Sequence, residues 1–126
     1  MKKVLIVEDN QDLQMLLTVQ IKSMGFFAIS ANNGIEAVEK SIEEKPHLIL
    51  MDIMLPGMDG REATRRIRSN PETKDIPILA ATAITDKSQL RECLEAGCND
   101  VIVKPFTAQD LKEKIQAFLD SPGDKQ

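Results

Sequence analysis

Tryptophan and tyrosine are absent from the 126 residues, and only four phenylalanines are present. The core must therefore be aliphatic, and the aromatic platforms on which nucleic-acid bases stack are missing. Positive charge is not in excess either: the net charge is −4 and the sequence pI about 5.0. Nucleic-acid surfaces draw their affinity from basic groups over phosphates, so no direct nucleic-acid binding is expected. No apolar run approaches the roughly 18 residues that mark a membrane span, so no membrane partner is expected. The first nine residues start with lysines, as a signal peptide does, but the apolar stretch at 4–7 is short and runs straight into Glu8 and Asp9. It reads as a first strand. Cys93 and Cys98 are too few for a disulfide scaffold and lack the partners of a zinc site. Reduced structural thiols in a cytoplasmic protein are the expectation.

The length fits one domain, assigned to residues 1–120, with 121–126 as a polar Pro-Gly-containing tail or the start of a linker. Five short apolar runs, at 4–7, 27–31, 48–51, 76–81 and 101–103, alternate with stretches of helical period. Four are nearly continuous in aliphatic residues, as strands of a parallel sheet covered on both faces should be. The second is more mixed and is expected near an edge. The intervening stripes are Leu13, Leu16, Leu17, Ile21 and Met24; Ile35, Val38 and Ile42; Ala63 and Ile67; Leu90, Cys93 and Leu94; and Leu111, Ile115, Phe118 and Leu119. Asp59, Asp86 and Thr107 are N-cap candidates with an acceptor three residues on, and Gly25 and Gly97 stand where helices should stop. Strand–helix alternation of this kind predicts an α/β fold, a doubly wound five-stranded parallel sheet with helices on both faces.

Ligands of such sheets bind beyond the carboxyl ends of the strands. The polar residues that follow the apolar runs are Glu8 and Asp9 after the first, Asp52 after the third, Thr82 after the fourth and Lys104 after the fifth. Carboxylates gathered in one crevice repel, and a hard divalent cation relieves the repulsion. Mg²⁺ suits a site of few carboxylates because it keeps waters and shares phosphate oxygens. Lys104 offers an ammonium and Thr82 a hydroxyl to a phosphoryl group. Asp52 ends the most hydrophobic run and is the expected nucleophile, with Glu8 and Asp9 placed to hold the metal. His47 is expected to be a partly exposed strand-end side chain.

The segments 4–10, 48–60, 81–83 and 103–106, with Gly25-Phe26 and residues 31–34, together resemble the response-regulator receiver domains of two-component phosphorelays, in the manner of a stand-alone chemotaxis-type regulator. The resemblance runs through about Leu119. It implies a flavodoxin-like sheet of order 2-1-3-4-5 and phosphorylation of Asp52 by a histidine kinase or histidine phosphotransfer protein. It also implies Mg²⁺ held by Asp9, Asp52 and the main-chain carbonyl of Met54, with Glu8 acting through water. Lys104 and Thr82 would contact the phosphoryl group, supported by Ala83 and by Pro105, whose preceding peptide is often cis in the family. The downstream protein target would meet the face of the fourth helix, fifth strand and fifth helix, around Gln89, Arg91, Val101 and Lys112. Val101 stands where the family commonly has a switching Tyr or Phe. Met54 and Ile84, bulky and without a group to orient water, lead to an expectation of slow self-dephosphorylation.

Three other readings compete. An aspartate-nucleophile phosphatase usually has a second Asp two residues after the first, where this chain has Met54. A flavin carrier of the same fold needs a Ser/Thr/Gly-rich phosphate loop, and residues 8–12 are acidic instead. A phosphate-free scaffold would not require the five-residue polar set.

Overall fold

Alternate residues of the apolar runs feed two separate cores, one on each face of a single sheet. The computed structural model describes residues 1–55, 57–83 and 86–119. The elements are β1 (Lys3–Val7), α1 (Gln11–Ser23), β2 (Phe27–Ala31), α2 (Gly34–Glu44), β3 (Leu48–Asp52), α3 (Gly60–Ser69), β4 (Ile78–Thr82), α4 (Lys87–Ala96), β5 (Asp100–Val103) and α5 (Ala108–Leu119). All strand pairs are parallel and the order is β2-β1-β3-β4-β5. The mixed second run does lie at an edge. The tail at 121–126 falls outside the described residues.

Side chains on successive strand residues point to opposite faces. Leu5, Val7, Ile49, Met51, Ile78 and Ala80 pack with Ala37 of α2, Ala63 and Ile67 of α3, and Cys93 of α4. Val4, Ile6, Leu48, Leu50, Leu79 and Ala81 pack with Leu17 and Ile21 of α1 and with Leu111, Ile115 and Leu119 of α5. The central strands β3 and β4 are buried at every position, which is why their sequences show no alternation.

Three apolar residues depart from the expected buried stripes: Leu16, Ile35 and Leu94 are 51%, 58% and 49% exposed. On a helix turning about 100° per residue, Leu16 lies roughly 60° to the side of the arc that holds Leu13, Leu17, Ile21 and Met24. In α2 the buried residues are small, Gly34, Ala37 and Ser41; a Cβ on Gly34 would lie 2.7 Å from the Met58 carbonyl oxygen, so this face packs closely while Ile35 is left exposed on the shoulder of the helix. β4 starts two residues later than expected. Pro77 has no N–H to give a ladder, and the N–H of Ile76 turns back to the carbonyl of Thr73 at 3.1 Å.

Asp59 and Asp86 cap α3 and α4 as expected, and Thr107 and Asp110 bond each other's main-chain N–H groups at 3.0 and 3.1 Å. Asn10 and Asn33, caps of α1 and α2, were not anticipated. Three residues on from Asn10 stands Leu13, which cannot complete a capping box, and three on from Asn33 stands Glu36, which accepts the N–H of Asn32 instead of that of the cap.

Cys93 and Cys98 are free and buried. Burial raises both thiols, Cys98 to about 11, against the weaker lowering effect of its contact with Thr64 Oγ1 at 3.7 Å. A thiol of that pKa is about 0.1% ionised at pH 8, against roughly a quarter for a free cysteine. Native protein is therefore expected to react with iodoacetamide at Cys98 at least about a hundredfold more slowly than denatured protein, as followed by mass.

Candidate functional site

β1 and β3 are neighbours, with Val7 opposite Met51, so Glu8, Asp9 and Asp52 leave the sheet at adjacent points. Their carboxylate oxygens lie within 4.8 Å of one another. Glu8 and Asp52 are 3% and 5% exposed, whereas Asp9 faces solvent. Lys104, after β5, reaches across two strands and places Nζ 3.4 Å from Glu8 Oε1 and 3.5 Å from Asp52 Oδ1. Asp52 Oδ1 also accepts the Met54 N–H at 3.1 Å, and Glu8 Oε2 accepts the Asn10 N–H at 3.1 Å.

One ammonium against three carboxylates leaves the cluster net negative. Two carboxylates 4.8 Å apart repel by roughly 3–4 kcal/mol at an effective dielectric near 20. The strain shows on Glu8, whose carboxyl is raised above the ordinary range, first by burial and then by the charge of Asp52, against the lowering effects of the Asn10 N–H and of Lys104. An all-oxygen donor set with surplus negative charge fits a small hard divalent cation.

The backbone around Asp52 is held tightly. The Gly60 N–H bonds the Ile53 carbonyl at 3.0 Å, and a Cβ on Gly60 would lie 2.6 Å from the Asp52 carbonyl oxygen and 2.8 Å from Ile53 Cα. Glycine at this position lets the start of α3 close onto the end of β3.

The remaining expected residues are placed as follows. Thr82 is fully buried at the end of β4, and its carbonyl accepts the Lys104 N–H at 2.8 Å, which anchors the lysine's backbone. Ala83 is exposed, and the Lys104–Pro105 peptide is cis. Met54 turns its side chain to solvent, 66% exposed. Val101 is half-buried against the core shared with α2, α3 and α4. Ile84 lies outside the described residues. His47 is exposed at the start of β3, where its Nδ1 accepts the Lys3 N–H at 3.0 Å.

Two features were not read from the sequence. A groove of about 430 Å³ runs beside the acidic cluster, with Leu13, Leu16 and Leu17 of α1 on one wall and Ala83, Lys104, Pro105 and Phe106 on the other. The off-axis position of Leu16 was the only sequence signal for it. The second is a polar link from α1 to the ends of β1 and β2, through Gln14.

The parallel order β2-β1-β3-β4-β5, with acids from two strand ends and a lysine from a third, defines a doubly wound α/β domain whose site lies at the carboxyl edge of its sheet. Residues 4–116 match the response regulator receiver domain, and the chain belongs to that family, the phosphorelay modules of two-component signalling. It is 36% identical over 118 residues to the polar-differentiation response regulator DivK of Brucella anthropi, covering 94% of this chain and 96% of that one. It is 37% identical over 117 residues to the phosphate regulon transcriptional regulatory protein PhoB of Rhizobium meliloti, covering 93% of this chain and 52% of the other. The chain thus spans about half the length of several curated relatives it matches. Among solved structures, the receiver domain of sensor histidine kinase PA1611 from Pseudomonas aeruginosa superposes with a TM-score of 0.88 at 35% identity, covering 95% of this chain and 98% of that one; it holds a magnesium ion in its active-site cleft. The chemotaxis protein CheY4 of Vibrio cholerae gives 0.90 at 28% identity, over 94% and 99% of the two chains. No helix among the described residues is long and apolar enough to cross a membrane.

Proposed function

We propose that the protein is a phosphorylation-activated response regulator that receives a phosphoryl group on Asp52 from a phosphohistidine of a histidine kinase or phosphotransfer protein. The observation that carries this is the convergence of Glu8, Asp9 and Asp52 within 4.8 Å, with Lys104 Nζ 3.5 Å from Asp52 Oδ1. An Asp52 carboxylate oxygen attacks phosphorus, the phosphorus–nitrogen bond of the donor breaks, and the electron pair returns to the imidazole. Asp9, Asp52 and the Met54 carbonyl would hold Mg²⁺ directly and Glu8 through water; its chemistry is to neutralise charge on the acids and on the phosphoryl oxygens. Lys104, already paired with Asp52 and Glu8, exchanges those partners for a phosphoryl oxygen. Thr82 supplies a hydroxyl from the end of β4.

The readout passes to a downstream protein through α4, β5 and α5. Val101 replaces the aromatic side chain that swings in many receivers, so Thr82 and the backbone beside Lys104 carry the change. Met54, solvent-facing and apolar, has no group to orient an attacking water. A long-lived phosphoryl group is the consequence.

The test is incubation with acetyl phosphate and Mg²⁺, followed by intact-mass measurement. One added phosphoryl unit is expected with Mg²⁺ and none with EDTA. Unmodified protein, under conditions that label another receiver in the same experiment, would leave only a scaffold role.

A further inference from the structure

We infer that Gln14, outside the acidic cluster, is the positioning residue that sets its Mg²⁺ affinity, by fixing the peptide from which Asp9 projects; this rests on the metal site proposed above. Of the three clustered acids, Glu8 and Asp52 are each held by a main-chain N–H and by Lys104. Asp9 has no hydrogen-bonding partner for its carboxylate among the described residues, and it is exposed. Its aim is therefore set by its backbone alone, and the peptide entering it is the one that carries the Glu8 carbonyl.

That carbonyl accepts Gln14 Nε2 at 2.9 Å. The same amide donates to Asn32 Oδ1 at 2.9 Å and lies 3.3 Å from the Ala31 carbonyl. Two hydrogens thus serve two good bonds, one on each loop, with the third contact shared and weaker. The far loop is itself fixed. Asn32 donates its main-chain N–H to Glu36 Oε1 at 2.9 Å, and Gln11 Nε2 reaches Asn32 Oδ1 at 2.9 Å. The Glu8 N–H also bonds the Ala31 carbonyl at 3.0 Å. Gln14 sits one turn into α1, whose first turn is capped by Asn10 at 2.9 Å, so its own backbone is rigid. The Glu8–Asp9 peptide is consequently held at its carbonyl, and the Val7–Glu8 peptide before it at its N–H, so Asp9 is kept within reach of the other two carboxylates without spending its own oxygens on the hold.

Groups that orient metal-binding residues typically matter by about 10–100-fold in metal affinity. The discriminating variants are Gln14→Met, which keeps length and helix propensity but has no donor, and Gln14→Glu, which keeps shape, loses the donors and adds a negative charge. Mg²⁺ affinity is read by titration calorimetry, with thermal unfolding in EDTA confirming that each variant is folded. Both are expected to bind Mg²⁺ about tenfold more weakly than wild type. For Gln14→Glu this is the opposite of what charge alone would do, since an added carboxylate near a cation strengthens attraction. Unchanged affinity in Gln14→Met, or tighter binding in Gln14→Glu, overturns the assignment while leaving the metal site standing. A wild-type protein that takes up no Mg²⁺ overturns the metal site and this inference together.

Discussion

Asp52→Asn is expected to take up no phosphoryl group from acetyl phosphate under conditions in which the wild-type protein gains one, and to unfold in EDTA at a temperature no lower than wild type. An amide nitrogen or its carbonyl oxygen is a far poorer nucleophile than a carboxylate, so the covalent step is lost outright. Stability behaves differently because Asp52 is a cost in the cation-free protein. It is 5% exposed and stands beside Glu8, whose carboxyl its charge helps to raise. An asparagine oxygen still accepts the Met54 N–H, made at 3.1 Å by Asp52 Oδ1, and removes one like charge from the cluster. Lys104 retains Glu8 at 3.4 Å. Intact mass and a thermal melt on the same sample check both halves. Phosphoryl uptake by Asp52→Asn would mean that another side chain is the acceptor.

Arg68→Met is expected to do the reverse: to lower stability by about 3 kcal/mol, on the order of 10 °C in midpoint, while phosphoryl uptake on ice is retained. The Arg68 guanidinium is a hub at the opposite end of the sheet from the acidic cluster. Its Nε donates to the Gly97 carbonyl at 2.9 Å, one Nη to the carbonyls of Lys74 and Ile76 at 2.9 and 2.6 Å, and the other to Asn99 Oδ1 at 2.7 Å. One side chain on α3 thus closes the C-terminus of α4, the segment before β4 and the segment before β5. Asn99 continues the network, since its Oδ1 accepts the Ile78 N–H at 2.8 Å and its own N–H donates to the Ile78 carbonyl at 2.8 Å. Removing the fork takes this donor from the two part-buried carbonyls of Gly97 and Ile76, and each such loss costs about 1–3 kcal/mol, offset by no longer desolvating a charge. That desolvation is what lowers the Arg68 guanidinium from its usual value. Gly97 takes part as well: at φ +120 it ends α4, and a Cβ there would lie 2.7 Å from Arg68 Cγ. A melt unchanged by Arg68→Met would show that water replaces the guanidinium without loss.

How much of this was legible beforehand depends on how local the cause is. β3 could be read at sight because four successive aliphatic residues before an aspartate have few alternatives in a soluble chain, and the structure buries all of 48–52. The caps at Asp59, Asp86 and Thr107 were equally plain, being short side chains beside their own helix starts. Leu16 and Ile35 were misplaced because a helical stripe defines an arc, whereas burial depends on what packs opposite. The small residues Gly34, Ala37 and Ser41, not the larger Ile35, turned out to be buried. Arg68 gave no sign at all. Four acceptors from two separate connections, 74–76 and 97–99, satisfy it, and no spacing in the chain announces them. Gln14 was silent for the same reason.

The alternation of apolar runs with amphipathic stretches was enough to specify five strands, five helices and a parallel sheet covered on both faces. These follow from hydrophobic period and cap chemistry, which act over a few residues. The polar residues after the runs were enough to nominate Glu8, Asp9, Asp52 and Lys104. Only the tertiary structure decided that three carboxylates approach within 4.8 Å and that Lys104 sits between two of them, because those separations depend on strand order and register. It alone decided that Asp9 hangs from a peptide held by Gln14, and that Arg68 knots the far end. A hydrogen bond between distant segments is selected by the folded geometry, and no local pattern encodes it.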